Sequence, residues 1–412
     1  MKKDLLSILD GRLTEADRLA AEALAALAVQ RGEQAYLVGG SVRDLLLGRP
    51  HVDLDVAVEG EAIALARQLA EMRKGRVVAH QAFGTASVEL ASSRIDLAQT
   101  RAETYSRPGA LPAVRPASIE EDLRRRDFTV NATALRLTPP GAGELLDPHG
   151  GRRDLRRRLI RVLHDESFRD DATRMLRAVR YEARLRFRLE EETERLLRRD
   201  VAYLDAISGA RLRAELVAMC FEKDLGKMLA RCQELGILGS IHPCLRFDES
   251  GAAALERARE ERSAPWDEVC LCLLCQHCDE GDVEALVRRL APSKRCERAL
   301  VDSVRLYRQM ASLQEPDAPP SRITELLELL SPAPVWALAL REDDALVAER
   351  ARRFLREWRY VKSFLGASAL RRLGIPAGPE LGKTLHRLRA ARLDGITQSR
   401  EDELALLGER RE

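Results

Sequence analysis

The chain has 412 residues, more than one ordinary domain holds, so about two to four domains are expected. Hydrophobic residues make up 45% of the sequence, which is ample for packed cores, and the formal net charge of +2 excludes a globally basic protein. Any surface for nucleic acid must therefore be a local patch.

No apolar run reaches the roughly 18 residues that a membrane-spanning helix needs, and the N-terminus lacks the long apolar core of a signal peptide. All eight cysteines lie between Cys220 and Cys296, which is not a disulfide framework for the whole chain. These features predict a cytoplasmic protein without membrane association.

The first 140 residues predict mixed α and β structure. Residues 14–31 have the apolar spacing of an amphipathic helix, with Thr14 as its N-cap. Alternation and apolar runs then predict strands at 35–38, 52–58, 76–79, 85–90 and 94–98, and helices at 41–47 and 61–74.

The second part of the chain has a different pattern. Three prolines within residues 103–118 predict a loop. After Pro148 helical periodicity continues to the C-terminus, with a linker expected at 315–321 and a tight turn at 374–378.

Asp53 and Asp55 are the central candidate residues. Side chains two residues apart on a strand share a face, so two carboxylates there repel each other unless a cation joins them. A pair of Mg²⁺ ions about 4 Å apart is the usual answer, since the ions activate an attacking hydroxyl and stabilise a leaving pyrophosphate. Asp96, on another predicted strand, is a candidate third ligand. Alone, the pair is more typical of a solvated acidic strand.

The segment just upstream, LVGGSVRDLLLG at 37–48, favours a metal site over a solvated acidic strand. Gly39 and Gly40 stand between a predicted strand and a predicted helix, where glycines let the backbone approach phosphates closely. Arg43 can neutralise a triphosphate. A Gly-Gly pair alone is usually a turn, but followed by this helix and the two aspartates it becomes a specific signature.

Together, LVGGSVRDLLLG and VDLDVAVEG resemble the signature of class II tRNA nucleotidyltransferases and bacterial poly(A) polymerases, most strongly over residues 35–190. The resemblance implies an α+β fold: a nucleotidyltransferase head with a small mixed β-sheet, followed by an all-α neck, body and tail. It implies catalytic roles for Asp53, Asp55 and Asp96, with Mg²⁺ held by Asp53 and Asp55. The domains expected are the head with its N-terminal helix at 1–140, the helical neck with a base-selecting motif at 141–206, the helical body at 207–314 and a tRNA-binding helical tail at 315–412.

RRDFTVNA at 125–132 resembles the second motif of the family, which implies nucleotide contacts by Arg126, Asp127 and Asn131. An aspartate can accept a hydrogen bond from a 2′-hydroxyl, so Asp127 would mark the substrate as a ribonucleotide. DPHGGRRDLRRRLIR at 147–161 resembles a hinge-like third motif.

DDATR at 170–174 resembles the motif that selects the incoming base, and it is expected to open a helix that runs to Phe187. Asp171, Arg174 and Arg177 lie away from the apolar stripe of that helix and can project into a cleft. The family usually has Glu where this chain has Asp170, which keeps the charge and shortens the reach.

An aspartate and an arginine one turn apart can imitate a base-pairing partner. Asp171 can accept from the exocyclic amine of cytosine or adenine, and Arg174 can donate to cytosine O2 and N3 or to adenine N1. Uracil and guanine would leave polar groups unpaired, so rejection can be strong. An ordinary i,i+3 ion pair explains the same two residues, but the surrounding run fits the family, which also implies nucleotide contacts by Arg177 and Arg180.

Residues 121–190 contain 17 arginines and 12 acidic residues, a local excess that predicts contact with the triphosphate and the tRNA backbone. LGIPAGPELGKTLHRLRAARLDG at 373–395 resembles the C-terminal segment of long-tailed relatives, which implies tRNA contacts by Lys383, Arg387 and Arg389. An ordinary capped helix explains the tail almost as well. The expected partners are tRNA, CTP and ATP, and no obligate protein partner is evident.

A cluster of four cysteines and one histidine lies in an apolar helical run. It lacks the separated ligand pairs of a structural zinc site. Small buried hydrophobes are the favoured interpretation, and whether the cluster binds metal is left open. Its members are Cys270, Cys272, Cys275, His277 and Cys278.

Complete CCA addition, A addition, CC addition and poly(A) synthesis share this signature. CC-adding relatives typically have a shortened loop before the second motif, whereas residues 100–122 form a full loop here. Several A-adding relatives carry large extra domains that this sequence lacks, and the tail resembles the tRNA-specific group. We therefore expect CCA addition, with A addition or poly(A) synthesis as enzymatic alternatives. The non-enzymatic alternative is an RNA-binding protein on an inactive scaffold.

Overall fold

The structure is a computed structural model that describes residues 5–50, 52–260, 265–341 and 343–408. The chain forms two compact units, Met1–Ile207 and Ser208–Glu412. Among the described residues, every helix is too short or too polar to cross a membrane.

The first unit contains a seven-stranded sheet and two small ribbons. Its strands are β1 (Gln34–Val38), β2 (Leu54–Glu59), β3 (Arg76–His80), β4 (Thr85–Leu90), β5 (Ser93–Gln99), β6 (Arg101–Thr104), β7 (Ala113–Pro116), β8 (Ala134–Arg136), β9 (Leu145–Leu146), β10 (Leu159–Ile160) and β11 (Arg188–Leu189). Its helices are α1 (Leu5–Asp10), α2 (Glu15–Gln30), α3 (Gly40–Leu46), α4 (Ala62–Arg73), α5 (Ile119–Arg124), α6 (Gly151–Arg157), α7 (Ser167–Asp170), α8 (Thr173–Leu185) and α9 (Glu191–Asp200). The strand order in the large sheet is β3-β4-β5-β2-β1-β8-β9.

Alternation along β1 explains why both faces of this sheet are covered. Leu37 faces a core shared with Leu24 of α2 and Leu65 of α4. Tyr36, one residue earlier, faces a second cluster that includes Leu123 of α5. Successive strand residues point to opposite faces, so the short apolar strand serves two layers at once.

Most of the predicted head elements are present within one or two residues of the predicted bounds, including α2 with Thr14 as its N-cap. The loop expected at 103–118 is wrong in part, because β6 and β7 form an antiparallel ribbon with Arg101 opposite Pro116. A proline can sit on such a ribbon when its nitrogen faces away from the partner strand. The prolines concealed the pairing.

The helix expected from Asp170 to Phe187 is also wrong in part. Asp171 has an extended backbone (φ −145°, ψ 97°), which separates α7 from α8. Its Oδ1 accepts hydrogen bonds from the Thr173 backbone N–H (3.0 Å) and hydroxyl (2.6 Å). A short aspartate that bonds to the backbone two residues on favours a turn over a continuous helix.

The described residues of the second unit are helical, as expected. Large parts of the core come from α14 and α19, whose side chains are almost all buried. The helices are α10 (Gly209–Cys220), α11 (Leu225–Glu234), α12 (Ile237–Ile241), α13 (Glu249–Glu260), α14 (Trp266–Leu274), α15 (Glu280–Leu290), α16 (Lys294–Arg308), α17 (Met310–Gln314), α18 (Pro320–Glu328), α19 (Pro332–Leu340), α20 (Ala345–Arg356), α21 (Ala367–Arg372), α22 (Pro379–Leu393) and α23 (Arg400–Gly408).

Candidate active site

Strand pairing in the middle of the large sheet brings two of the candidate carboxylates together. β2 and β5 run parallel, and Asp55 lies directly opposite Asp96 in their register. Asp53 is exposed and immediately precedes β2. Register partners in a sheet put their side chains on the same face, so the three aspartates lie at one place although 40 residues separate Asp55 from Asp96.

The pKa of Asp55 reports that crowding. Burial raises the pKa of its carboxyl group first, and the negative charges of Asp96 and Asp53 raise it further. A hydrogen bond from Ser41 Oγ to Asp55 Oδ2 (3.2 Å) opposes this shift, as does the charge of Arg126. The net shift of the pKa is upward, with burial as its largest cause and the neighbouring aspartates as a smaller one.

A cavity of about 400 Å³ opens beside these carboxylates, and we call it the carboxylate cavity. Residues of β2, β4 and β5 line it, together with Gly39 and Arg126. The lining residues are Val38, Gly39, Gly40, Asp55, Val56, Thr85, Ala86, Ser87, Arg94, Asp96, Leu97, Ala98 and Arg126. Charged groups of both signs therefore face one concave space.

Glycine suits position 39 for two reasons. Its φ of +64° is strained for residues with a side chain, and a Cβ there would lie 2.7 Å from Arg126 Nη1. The buried Nε of Arg126 has no hydrogen-bond partner, while its Nη2 donates to Asp122 Oδ2 at 2.9 Å. A guanidinium held on one side and unsatisfied on another is suited to an anionic ligand.

Asp122 is a residue that the sequence analysis missed. Its side chain is 2% exposed, and it accepts hydrogen bonds from Arg125, Arg126 and the backbone N–H of Arg101. Burial raises the pKa of Asp122, but the charges of Arg126 and Arg125 outweigh it and the net pKa is lowered. Its position one helical turn before Arg126 was the available signal.

Asp127 and Asn131 form a second polar centre. Asp127 Oδ2 accepts from Arg177 Nη2 (2.6 Å) and Nε (3.0 Å), and Oδ1 accepts from Asn131 Nδ2 (3.0 Å). Burial raises the pKa of Asp127, but the nearby Arg177 charge and these bonds lower it overall. We call Asp122, Asp127 and Asn131, with the arginines bonded to them, the arginine network.

Arg43 belongs to this network and does not line the carboxylate cavity. Its side chain is 3% exposed, and it pairs with Asp44 (2.9 Å) and donates from Nη1 to Asn131 Oδ1 (2.7 Å). It also lies over the ring of Tyr181, 5.3 Å from the centroid. This arrangement disfavours the predicted direct contact with a triphosphate and makes Arg43 a support for Asn131.

The base-selecting motif is held by several bonds. Arg174 is buried, and it donates to Ser167 Oγ (2.6 Å) and to the Arg125 carbonyl oxygen (2.8 Å). Arg174 therefore does not project into an open cleft as expected, because the motif packs against α7 and the second motif. Asp171, as described above, bonds to Thr173, and Arg180 lies 6.0 Å from the Tyr181 ring centroid.

Tyr181 is the second residue that sequence reasoning missed. Its ring meets Phe128 edge-on at 5.7 Å, and Arg177 lies 5.5 Å from the ring centroid. A ring between arginines stabilises them through its face. A lone aromatic in an arginine-rich helix was the signal that could have identified it.

The three predicted tRNA contacts in the tail lie on α22. Lys383 is exposed, whereas Arg389 pairs with Glu328 (2.8 Å) and donates to the Val361 carbonyl oxygen (2.8 Å). Arg387 donates to the Leu406 carbonyl oxygen at 3.4 Å. The two arginines thus have structural bonds within the second unit, and Lys383 is the freest of the three to meet a phosphate.

The carboxylates fit a divalent cation. Carboxylate oxygens are the ligands that hard cations prefer. The charges of Asp53 and Asp96 each raise the pKa of Asp55, and a cation bound among the three carboxylates would relieve that repulsion. Asp53, Asp55 and Asp96 are the residues that could hold it.

Two regions of the chain match known family models. Residues 35–161 match the Poly A polymerase head domain, and residues 186–248 match the probable RNA and SrmB-binding site of polymerase A. The first range contains the carboxylate cavity, and the second begins directly after α8.

Curated relatives match over most of the chain. It is 35% identical over 392 residues to the A-adding tRNA nucleotidyltransferase of Geobacter sulfurreducens, covering 90% of this chain and 44% of that protein. It is 34% identical over 382 residues to the CC-adding tRNA nucleotidyltransferase of Deinococcus radiodurans, covering 90% of this chain and 88% of that protein. The chain spans 20% to 62% of the lengths of three A-adding relatives, including the Geobacter protein.

The fold has a solved counterpart in the Thermotoga maritima CCA-adding enzyme complexed with tRNA. The TM-score is 0.81 with 29% sequence identity, over 100% of this chain and 99% of that one. The nucleotidyltransferase family generally uses divalent metal ions, in agreement with the donor set above. The chain belongs to the family of tRNA nucleotidyltransferases and poly(A) polymerases.

Proposed function

We propose that this chain adds CCA to the 3′ end of tRNA, without a nucleic-acid template, from CTP and ATP and with Mg²⁺. The observation that carries the proposal is the register of Asp55 with Asp96 in a cavity whose lining includes Gly39 and Arg126. The tRNA nucleotidyltransferases among its relatives, and the fold shared with a tRNA-bound CCA-adding enzyme, support the substrate class.

The reaction joins the tRNA 3′-hydroxyl to the α-phosphate of the nucleotide and breaks the bond to the β-phosphate, so pyrophosphate leaves. Asp53 and Asp55 would hold Mg²⁺, with Asp96 as a further oxygen ligand. When bound, Mg²⁺ lowers the pKa of the attacking hydroxyl and stabilises charge on the leaving group. Arg126 neutralises the triphosphate, and Gly39 leaves room for the phosphates to approach the backbone.

The arginine network would bind the nucleoside part. Asp127 is the candidate acceptor for a ribose 2′-hydroxyl, and Asn131 is its fixed neighbour. Asp171 and Arg174 would read the base, with Arg177 and Arg180 beside them. Since Arg174 already donates to Ser167 and to the Arg125 carbonyl oxygen, an incoming base must use its remaining N–H groups or replace one of these bonds.

Binding of tRNA is proposed for two regions. The arginine-rich stretch at 121–190 faces the phosphate backbone near the acceptor end, and Lys383 with Arg387 and Arg389 contacts it farther away. The domains at 1–140, 141–206, 207–314 and 315–412 stay our proposed division into head, neck, body and tail. A cytoplasmic location follows from the proposed substrates, which are tRNA, CTP and ATP.

A addition to tRNA already ending in CC is the second candidate. Three relatives bearing that name match this chain at 35%, 38% and 49% identity over different lengths, and they favour this alternative. The β6–β7 ribbon before the second motif is tied to it through Glu103, which accepts from Arg125 at 3.0 Å. That segment is the part whose length separates CC-adding relatives from the others.

Three tRNA transcripts test the proposal: one lacking CCA, one ending in CC and one complete. With CTP, ATP and Mg²⁺, we expect three nucleotides on the first, one on the second and none on the third, read on sequencing gels. Addition of A to the second alone would select A addition, and long A tracts would select poly(A) synthesis. No incorporation anywhere would leave the RNA-binding alternative. Asp53→Ala is the matched control, expected to abolish addition and to keep tRNA binding.

Base selection has its own test. Arg174→Ala removes the proposed donor to cytosine and adenine, so misincorporation of UTP and GTP should rise by about tenfold or more relative to CTP and ATP. Arg184→Ala, an exposed residue of the same helix, should leave discrimination unchanged. Unaltered discrimination in Arg174→Ala would refute its role in reading the base.

A further inference from the structure

A metal-ligating cluster lies in the second unit, far along the chain from the proposed catalytic residues. One ligand atom each of His242, Cys244 and Asp282 lie within 4.8 Å of one another. Cys278 adds a fourth donor, because it is joined to Cys244 by a disulfide. We propose that, when this disulfide is reduced, His242, Cys244, Cys278 and Asp282 bind one Zn²⁺.

The donor set is the first argument. Two thiolates, one imidazole and one carboxylate are ligands that zinc accepts in closed four-coordinate sites. Bond lengths of about 2.0 to 2.3 Å place neighbouring ligand atoms about 3.3 to 3.8 Å apart in a tetrahedron. His242 Nδ1 lies 3.0 Å from Cys244 Sγ, and one oxygen of Asp282 lies within 4.8 Å of both, so these groups can meet at one cation after the two sulfurs separate on reduction.

The orientation of each ligand is the second argument. His242 Nδ1 accepts a hydrogen bond from the Cys244 backbone N–H (3.3 Å), so this nitrogen is the unprotonated one, and zinc would take its lone pair in place of that bond. Asp282 and Asp279 form a reciprocal capping box at the start of α15, with bonds of 2.8 and 3.1 Å. That box uses Asp282 Oδ2 and fixes the carboxylate before any metal arrives.

The sequence cluster is divided by the fold. Cys270 and Cys272 are buried in α14, and Cys275 is buried just after it. His277 Nε2 lies 3.7 Å from Asp248 Oδ2, so it faces a different group. Cys278 of that cluster instead meets a partner 34 residues earlier, which the local spacing does not reveal.

Disulfide and zinc exclude each other at these sulfurs. A dithiol reductant supplies two electrons and two protons, so the sulfur–sulfur bond breaks to two thiols while the reductant becomes a disulfide. Zinc then replaces the two thiol protons and binds both thiolates. Reducing compartments keep thiols reduced, so the zinc form is the one expected there.

The site would join two segments that the chain keeps apart. His242 and Cys244 follow α12, whereas Cys278 and Asp282 lie at the junction of α14 and α15. Zinc that binds the folded state and not the unfolded state would stabilise the second unit, because the free energy of binding adds to the free energy of folding. The proposal concerns stability and redox state and is independent of the nucleotidyltransferase proposal.

The first test uses the wild-type chain in two states. Reduced protein, exchanged into metal-free buffer and titrated with Zn²⁺, should bind about one equivalent and melt at a higher temperature. Oxidised protein should bind less than a tenth of that amount and titrate two fewer thiols with a thiol reagent. Co²⁺ in the reduced protein should give the intense visible spectrum of a tetrahedral thiolate site.

Variants assign the ligands. Cys244→Ser and Cys278→Ser should abolish stoichiometric binding, and His242→Ala and Asp282→Asn should weaken it by at least about tenfold. Cys296→Ser is the matched control, because Cys296 is another buried free cysteine of this unit. Circular dichroism establishes that each variant is folded.

Three results would overturn the proposal. One is reduced wild-type protein that binds no zinc, which needs no variant to interpret. Another is equal binding by the oxidised and reduced proteins. The third is stoichiometric binding by folded Cys278→Ser, or its loss in folded Cys296→Ser.

Discussion

The carboxylate cavity and the arginine network lie in the same unit, but the pKa values of their buried carboxyl groups are shifted in opposite directions. In the cavity, like charges meet, and burial with the charges of Asp96 and Asp53 raises the pKa of Asp55. In the network, burial also disfavours the charge of Asp127, yet Arg177 and Asn131 outweigh it and the pKa is lowered. A cation would therefore relieve the repulsion among the carboxylates of the cavity, whereas arginines of this chain already neutralise the carboxylates of Asp122 and Asp127.

This difference assigns the two regions different energetic roles. A group held against repulsion destabilises the fold and is kept for binding or catalysis. A buried ion pair with its hydrogen bonds complete holds the surrounding elements in place, and removing one partner strands the other. Loss of function without loss of stability should mark the cavity, and loss of stability should mark the network.

Asp55→Asn gives the largest expected effect. Nucleotide addition should fall by at least about 1,000-fold, since several kcal/mol of transition-state stabilisation is lost. The free energy of unfolding should stay equal or rise, because an ionised carboxylate with a raised pKa costs stability at neutral pH. Incorporation of labelled nucleotide and urea unfolding measure the two. Strong destabilisation would contradict the assigned role.

Asp127→Asn comes next and should act through the fold. It removes the carboxylate charge that lies 2.6 Å from Arg177, whose side chain is 30% exposed, so the free energy of unfolding should fall by about 2 to 3 kcal/mol. Urea unfolding of the first-unit signal measures it. Asp147→Asn is the control outside the network, since half-buried Asp147 accepts hydrogen bonds from the backbone N–H groups of Gly151 and Arg152 at the start of α6. A loss below about 0.5 kcal/mol would show that the pair contributes nothing.

The pH dependence of stability should separate the two centres further. Asp122 and Asp127 have pKa values lowered from 3.8, so their stabilisation is fully present above the unfolded pKa and is lost as pH falls through the folded value. The stability difference between wild type and Asp127→Asn should therefore be constant near neutrality and shrink below about pH 4. Unfolding at a series of pH values checks it, and a constant difference at every pH would refute it.

Ser41→Ala has the smallest expected effect. The Ser41 hydroxyl donates to Asp55 Oδ2, which lowers the pKa of Asp55. Its loss should raise that pKa and move the acidic limb of the pH–activity profile to higher pH, with about 1 kcal/mol of transition-state stabilisation lost. Ser41→Thr keeps the hydroxyl and should keep the profile. An unmoved acidic limb in Ser41→Ala would show that Ser41 does not tune Asp55.

Much of the head could be predicted from local pattern alone. Thr14 caps α2 as expected, and the strands from β1 to β5 lie where alternation and apolar runs placed them. The ribbon of β6 and β7 could not be predicted in this way, because three prolines dominate the local signal and the pairing joins residues 9 to 15 apart. Asp171 likewise ends a helix through a side-chain bond that periodicity does not see.

The residues of the candidate site were likewise predictable only in part. The motif residues Asp53, Asp55 and Gly39 could be named from sequence, because their spacing is a local property. The pairing of Asp55 with Asp96 depends on which strands become neighbours, and the burial of Arg43 and Arg174 depends on what packs over them. Asp122 and Tyr181 were not identified from the sequence, because their roles depend on the ion pairs and ring contacts that they make in the folded chain.

The sequence by itself determined the family, the α+β order of the chain and the residue types of the chemistry, since motifs and periodicities are written in short segments. Only the tertiary structure decided which charged side chains are paired away from the cavity and which line it. It placed Arg126, but not Arg43, in the lining of the cavity, and it joined Cys278 to Cys244 rather than to its neighbours along the chain. Charge balance and metal ligation depend on distances in space, which the spacing of residues along a chain does not fix.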